Sequence, residues 1–178
     1  MKKIITLLLL VLFTSSSCEK DDICDANTPT TPRLVIAFYD YDNASIPKNV
    51  NNLKVIGEGM TEGIVFNPSA TDDSKYVTNG NTISIPLKTN AETTTYRFIL
   101  NATSANPTLI DTDQITFNYT TKDVFVSRAC GFKTLFTFTS NPTVHIAVPA
   151  TKLKWMQAIS VEKSNIDNEN ETHIKVFF

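Results

Sequence analysis

Ile115-Thr116-Phe117-Asn118-Tyr119-Thr120 decides the class of this fold. Large apolar side chains alternate strictly with small polar ones. Period-two alternation puts Ile115, Phe117 and Tyr119 on one face of an extended chain and Thr116, Asn118 and Thr120 on the other. That is a half-buried β-strand, and the same pattern recurs in both directions along the chain.

Upstream, Arg33 to Tyr39 is apolar and β-branched, and Leu53 to Ile56 is a shorter run. Tyr76-Val77-Thr78 and Thr82-Ile83-Ser84-Ile85 flank Asn79-Gly80, the strongest short-range hairpin signal. Tyr96, Phe98 and Leu100 alternate with polar or smaller neighbours. Downstream, Phe132, Phe136 and Phe138 share one parity around Thr134, and Val144, Ile146 and Val148 share another. Ile159 and Val161 precede a polar loop from Glu162 to Glu171, and Ile174, Val176 and Phe178 end the chain. Lys152 to Ala158 suits a single helical turn at most. Short strands separated by Asn, Gly, Pro, Asp and Ser predict an all-β protein, an antiparallel β-sandwich (immunoglobulin-like or related) of about 8–10 strands. The terminal Phe178 with Val176 and Ile174 also fits the last strand of an outer-membrane barrel. Such barrels need alternating strands of about 10 residues and an outward apolar band, and most runs here are shorter. Phe177 and Phe178 are therefore expected in a final strand with a buried apolar face.

The first 22 residues carry an address. Met1-Lys2-Lys3 is a basic start, and Ile4 to Phe13 is apolar but for Thr6. A membrane span needs about 20 apolar residues, so this run reads as a signal peptide, residues 1–17. Ser16 and Ser17 before Cys18 resemble the lipobox of bacterial lipoproteins, although Ser15 stands where Leu is common. Cys18 is thus the expected lipidation site. Lys20-Asp21-Asp22 resembles the surface-export signal of Bacteroidota lipoproteins, and otherwise reads as a charged, solvated tether. Residues 18–32 then form the lipidated N-terminus and tether, with one domain over 33–178. The expected location is the outer membrane, lipid-anchored and facing the cell surface, with the periplasmic face as the alternative.

With Cys18 acylated, Cys24 and Cys130 remain outside the reducing cytosol, where two left-over cysteines pair. A reactive or metal-binding thiol pair lacks a neighbouring His or third Cys. The bridge closes a loop of about a hundred residues, worth about 4–5 kcal/mol in the chain-entropy model, less any strain. It also leaves residues 19–23 as the free tether, with a reach of about 17 Å. The net charge of −2 becomes −4 once Lys2 and Lys3 leave with the signal. With no basic run, nucleic acid is a poor partner.

Signals for chemistry are sparse. The two histidines, His145 and His173, lie in β-like runs opposite the apolar set and read as surface residues. Two are too few for an ordinary zinc site, and no G-x-S-x-G elbow occurs. Gly57-Glu58-Gly59 with Gly63 superficially resembles a phosphate loop. Ile64-Val65-Phe66 behind it looks like strand and not helix, so a flexible turn is expected. Asp40-Tyr41-Asp42-Asn43 and Asp111-Thr112-Asp113 space carboxylates two apart without the EF-hand pattern, and read as strand-terminal turns. Tyr39, Tyr41, Tyr76 and Trp155 are candidates for an exposed glycan- or protein-binding surface, or rings that cap the core with the polar atom at the rim. No catalytic residue, metal site or cofactor is expected.

Several segments together resemble an uncharacterised family of Bacteroidota outer-membrane lipoproteins, a domain of unknown function numbered 6452. They are Cys18-Glu-Lys-Asp-Asp-Ile-Cys24, Thr31-Pro32-Arg33-Leu34, Ile85-Pro86-Leu87-Lys88-Thr89, Phe117-Asn118-Tyr119, Phe125-Val126-Ser127-Arg128-Ala129-Cys130-Gly131 and Asn168-Glu169-Asn170-Glu171. The resemblance implies location and fold class, no activity, and a weak association with an outer-membrane barrel protein. Arg128 precedes Cys130 by two and shares its face in a regular strand. A guanidinium there needs an internal carboxylate, or serves a partner. The functional expectation is a non-catalytic binding or structural module that docks on an outer-membrane protein or surface polymer. The alternative is a glycan-binding or glycan-processing accessory protein.

Overall fold

The structure, a computed structural model, describes residues 23–28 and 30–178. The signal segment, Cys18 and Lys20-Asp21-Asp22 lie outside the described residues. The described residues divide into two compact units, 23–28 and Thr30 with Val124–Lys133, and Thr31–Asp123 with Thr134–Phe178.

The second unit is a β-sandwich. In chain order the strands are β1 (Leu34–Tyr39), β2 (Leu53–Gly57), β3 (Val77–Thr78), β4 (Thr82–Ile85), β5 (Thr93–Leu100), β6 (Asp111–Ser127), β7 (Gly131–Ala147), β8 (Ala158–Val161), β9 (Asn165–Ile166) and β10 (Ile174–Phe177). A four-stranded sheet runs β4-β1-β10-β8, and a six-stranded sheet runs β3-β2-β5-β6-β7-β9. Residues Val124–Ser127 of β6 and Gly131–Lys133 of β7 belong to the first unit. β1 pairs in parallel with β10, Ile36 beside Ile174, whereas β1–β4, β10–β8, β2–β3, β2–β5, β5–β6 and β7–β9 pair antiparallel. A parallel pair needs a long connection, and here nearly the whole domain is that connection.

The alternating stretch behaves as its pattern demands. Ile115, Phe117 and Tyr119 of β6 face inward and are fully buried. They meet Tyr96 and Phe98 of β5 and Phe136 and Phe138 of β7 on one side of the core. Leu34, Ile36 and Phe38 of β1 with Ile174 and Val176 of β10 supply the other side. Burying each such side chain contributes roughly 1.5–3 kcal/mol. Phe178 ends the chain against Phe38 and Trp155, edge-on at 6.2 and 5.4 Å between ring centres. The Phe177-Phe178 end thus closes a central strand of a filled sandwich, not a barrel wall.

Three expectations need correction. Asn79-Gly80 does not join a hairpin: β3 pairs with β2 and β4 pairs with β1, in different sheets. A type I′ turn needs positive φ at both central residues, and neither Asn79 nor Gly80 adopts it. Asn79 Oδ1 instead accepts the Asn52 N–H at 2.7 Å, and the Gly80 carbonyl accepts the Val50 N–H at 3.1 Å. These bonds hold the turn as a crossing between sheets.

The second correction is the face of Val144 and Ile146, which are exposed while Ala147 is buried. Inward residues of β7 are even-numbered through Phe138, and the parity changes across Ser140-Asn141-Pro142. Pro142 cannot donate a ladder hydrogen bond, and a proline in a strand commonly marks such a break. Phe132, grouped with Phe136 and Phe138 in the sequence pattern, is exposed. The third concerns residues 64–66, which form no strand. Ile64 and Phe66 pack on the core from a loop, with the Ile64 N–H donating to the Val55 carbonyl at 2.8 Å.

Candidate functional site

The glycine-rich turn borders a cleft of about 400 Å³ in the sandwich unit. The end of β2, the turn after it, Pro86 and Lys88 behind β4, and Thr94 to Tyr96 of β5 line it. Three glycines shape this edge. Gly59 has φ +78°, a conformation other residues adopt only with strain. A Cβ on Gly63 would lie 3.1 Å from Tyr76 Cβ and 3.2 Å from the Lys54 side chain. A Cβ on Gly57 would crowd Met60 at 3.3 Å and the Tyr96 ring at 3.5 Å. The turn precedes no helix N-terminus, so it is a turn and not a phosphate cradle.

The hydroxyls at the cleft are spoken for. The Tyr96 hydroxyl donates to the Pro86 carbonyl at 2.6 Å. Burial pushes that phenol up to about 12, so it stays protonated at neutral pH. The Tyr119 hydroxyl donates to the Lys88 carbonyl at 2.9 Å and meets Thr94 Oγ1, whose oxygen also accepts the Lys88 N–H. Thr95 and Thr116 share a hydroxyl bond at 2.9 Å. What remains for a ligand is an apolar wall of Met60, Ile64 and the Tyr96 ring, with Glu58, Glu62 and Lys88 around it. The volume falls in the range of small-molecule or side-chain pockets, about 300–1,000 Å³.

Both histidines depart from the surface reading. His173 is fully buried. Its Nδ1 accepts the Val35 N–H at 3.0 Å while the His173 backbone N–H donates to the Val35 carbonyl, so the residue extends the pairing between β1 and β10. Accepting at Nδ1 leaves the proton on Nε2, which has no partner among the described residues. Burial holds this imidazole below its ordinary value, hence neutral. His145 lies 2.8 Å from Asp113 Oδ2, and the same oxygen accepts the Met156 N–H at 3.0 Å. Asp113 is fully buried within β6, not in a turn. An aspartate–histidine pair can orient a general base. Here the shared oxygen braces the segment before β8 against β6, and no nucleophilic side chain bonds to the imidazole among the described residues.

Most of the other candidates are engaged inside the protein. Asp40 Oδ1 accepts the N–H groups of Asp42 and Asn43, and its Oδ2 pairs with Lys48 at 3.1 Å. Asp111 pairs with Lys152 at 3.4 Å. Trp155 is buried and its Nε1 donates to the Phe98 carbonyl, Tyr76 is buried, Tyr39 is partly buried, and Tyr41 is exposed. No group of three metal-ligating side chains occurs among the described residues.

The first unit holds the expected disulfide, Cys24–Cys130, with Cα atoms 5.0 Å apart. It ties residue 24 to the turn between β6 and β7, not to the sandwich itself. Arg128 sits exposed in that turn and makes no ion pair among the described residues. Phe125 and Phe132 meet edge-on across the two strands at 5.4 Å, both exposed.

Sequence reasoning missed Tyr96, Thr94 and Pro86 as cleft residues. The clustering of three of the five glycines was the signal for it. Neither the curated proteins nor the solved structures contain a match to this chain. The quoted segments from Ile85 through Glu171 fall within a family model that matches residues 52–178, and the chain belongs to that family, the family of unknown function DUF6452.

Proposed function

We propose that this chain is a lipid-anchored, non-catalytic binding module that docks on an envelope protein or surface polymer. Residues 1–17 direct export, Cys18 carries the lipid, and Lys20-Asp21-Asp22 send the protein to the cell surface of the outer membrane. The observation that carries the binding role is the cleft beside residues 57–64. Its hydroxyls are bonded inside the protein, and it offers a partner apolar contact rimmed by charge. An apolar side chain entering it gains burial without stripping water from unpaired polar atoms.

A photo-crosslinking amino acid at Met60, in the full chain in its own cell envelope, tests this. One dominant crosslinked species, lost when Ile64→Lys is added, is expected. No species, or the same one from position 153, counts against the cleft. Metabolic labelling with a fatty acid tests the anchor: label and membrane attachment disappear in Cys18→Ala.

A second reading, glycan binding, draws on a polar pocket of about 240 Å³ lined by Asn51, Asn52, Asn101, Thr103, Ser104 and Leu109. Amides and hydroxyls suit sugar hydroxyls. The Asn51 amide already donates to Asn101, and the Asn101 amide to the Leu109 carbonyl. A glycan array reporting binding that Thr103→Ala and Ser104→Ala remove would favour this pocket over the cleft.

A further inference from the structure

We infer that the disulfide-tied turn between β6 and β7 is a membrane-contact tip, with Phe125 and Phe132 seated in the interface of the bilayer that anchors the chain. The inference rests on the lipid-anchor reading above.

The tip has the wrong surface for water. Phe125 is 58% exposed and Phe132 69% exposed, on opposite strands, one ring's edge against the other's face. Ile23 is 82% exposed and adjoins Cys24, which is bonded to Cys130 in the same turn. Exposed large apolar side chains gathered at one point mark an interaction surface, whereas scattered ones do not. Arg128 and Lys133 stand among them in the same unit. Apolar side chains beside long cations suit a bilayer interface, where the ring is buried and the charged head stays wet or meets lipid phosphate.

The bilayer is the favoured occupant because of where the chain leads. Five residues separate Cys18 from Cys24, with a reach of about 17 Å. The disulfide passes that restraint to residue 130, so the turn carrying the two rings cannot leave the neighbourhood of the acylated cysteine. Held so close, the rings meet lipid at a high effective concentration.

The test uses the full chain purified from membranes and reconstituted in vesicles of brominated phosphatidylcholine and phosphatidylglycerol. Intact mass is read first, and an unacylated Cys18 overturns the anchor and this inference with it. With acylation established, Phe132→Trp and Phe125→Trp are compared with Leu153→Trp, at a position 92% exposed in the sandwich unit. The native Trp155 is buried and supplies a constant background. The expected result is that the tip tryptophans shift to the blue and lose emission in brominated lipid, while Leu153→Trp does not. Tip tryptophans as open to an aqueous quencher as Leu153→Trp overturn the inference and leave the anchor standing. Photo-crosslinking from position 132 to a protein in intact cells, with no crosslink to lipid, overturns it in favour of a protein partner.

Discussion

The same two strands carry two nearly identical aromatic pairs. Tyr119 and Phe136 meet edge-on with ring centres 5.3 Å apart, and Phe125 and Phe132 meet edge-on at 5.4 Å. The first pair is at most 1% exposed, and the second is open to solvent. Contact geometry is therefore not what makes a residue part of a core. Edge-to-face contact adds about 0.5–1.5 kcal/mol, whereas the larger gain comes from removing each ring from water. One pair holds the sandwich together, and the other is available for something outside it.

The sharpest way to break this comparison is to truncate both pairs. Phe136→Ala should cost about 3–5 kcal/mol, transfer and cavity terms together. Phe132→Ala should stay within about 0.5 kcal/mol of the parent, as surface substitutions do. Chemical denaturation of the two variants decides it, and equal losses would mean that the tip belongs to the folding unit. Asp113→Ala should cost about 2–3 kcal/mol, because the buried Met156 N–H loses its acceptor and His145 its partner. Loss of exchange protection at Met156 would localise the damage to the sandwich. Gly59→Ala should cost about 1 kcal/mol through its positive φ alone, since nothing crowds the added carbon. Its effect should appear in partner crosslinking at Met60 more than in the melting curve.

The smallest expected effect is one of pH. An imidazole in the unfolded chain titrates near 6.5, and burial holds His173 lower in the folded one. Below about pH 6.5 the unfolded state binds more protons, so His173 contributes stability that is complete above that pH and is lost as pH falls. The denaturation midpoint should drop as the pH falls below about 6.5. His173→Asn, whose side-chain oxygen can still accept the Val35 N–H, should flatten that drop. An unchanged slope in the variant would remove His173 as its source.

Much of this was readable in the chain. The alternation at 115–120 identified an inward face that the structure keeps residue for residue. Cys24 and Cys130 were the only pair left once Cys18 was assigned to lipid, and they are bonded. The cleft was half visible, as a knot of glycines whose purpose needed Pro86 and Tyr96 brought from elsewhere. His173 was misread because it lies opposite Ile174 and Val176, and His145 because Val144 and Ile146 on either side of it read as the inward set. Pro142 interrupts β7 there, and the inward face passes from Val144 and Ile146 to His145 and Ala147.

By itself the sequence determined the all-β class, the position of most strands and the pairing of two cysteines, because period, turn residues and thiol count are local or arithmetic properties. Only the tertiary structure decided which strands share a sheet, that β1 and β10 run parallel, that Asn79-Gly80 crosses between sheets, and that His173 is buried. A turn takes its role from the strands that claim each arm, and burial depends on what lies across ten angstroms of core. Both are set by residues far away in the chain, and no window of neighbouring residues contains them.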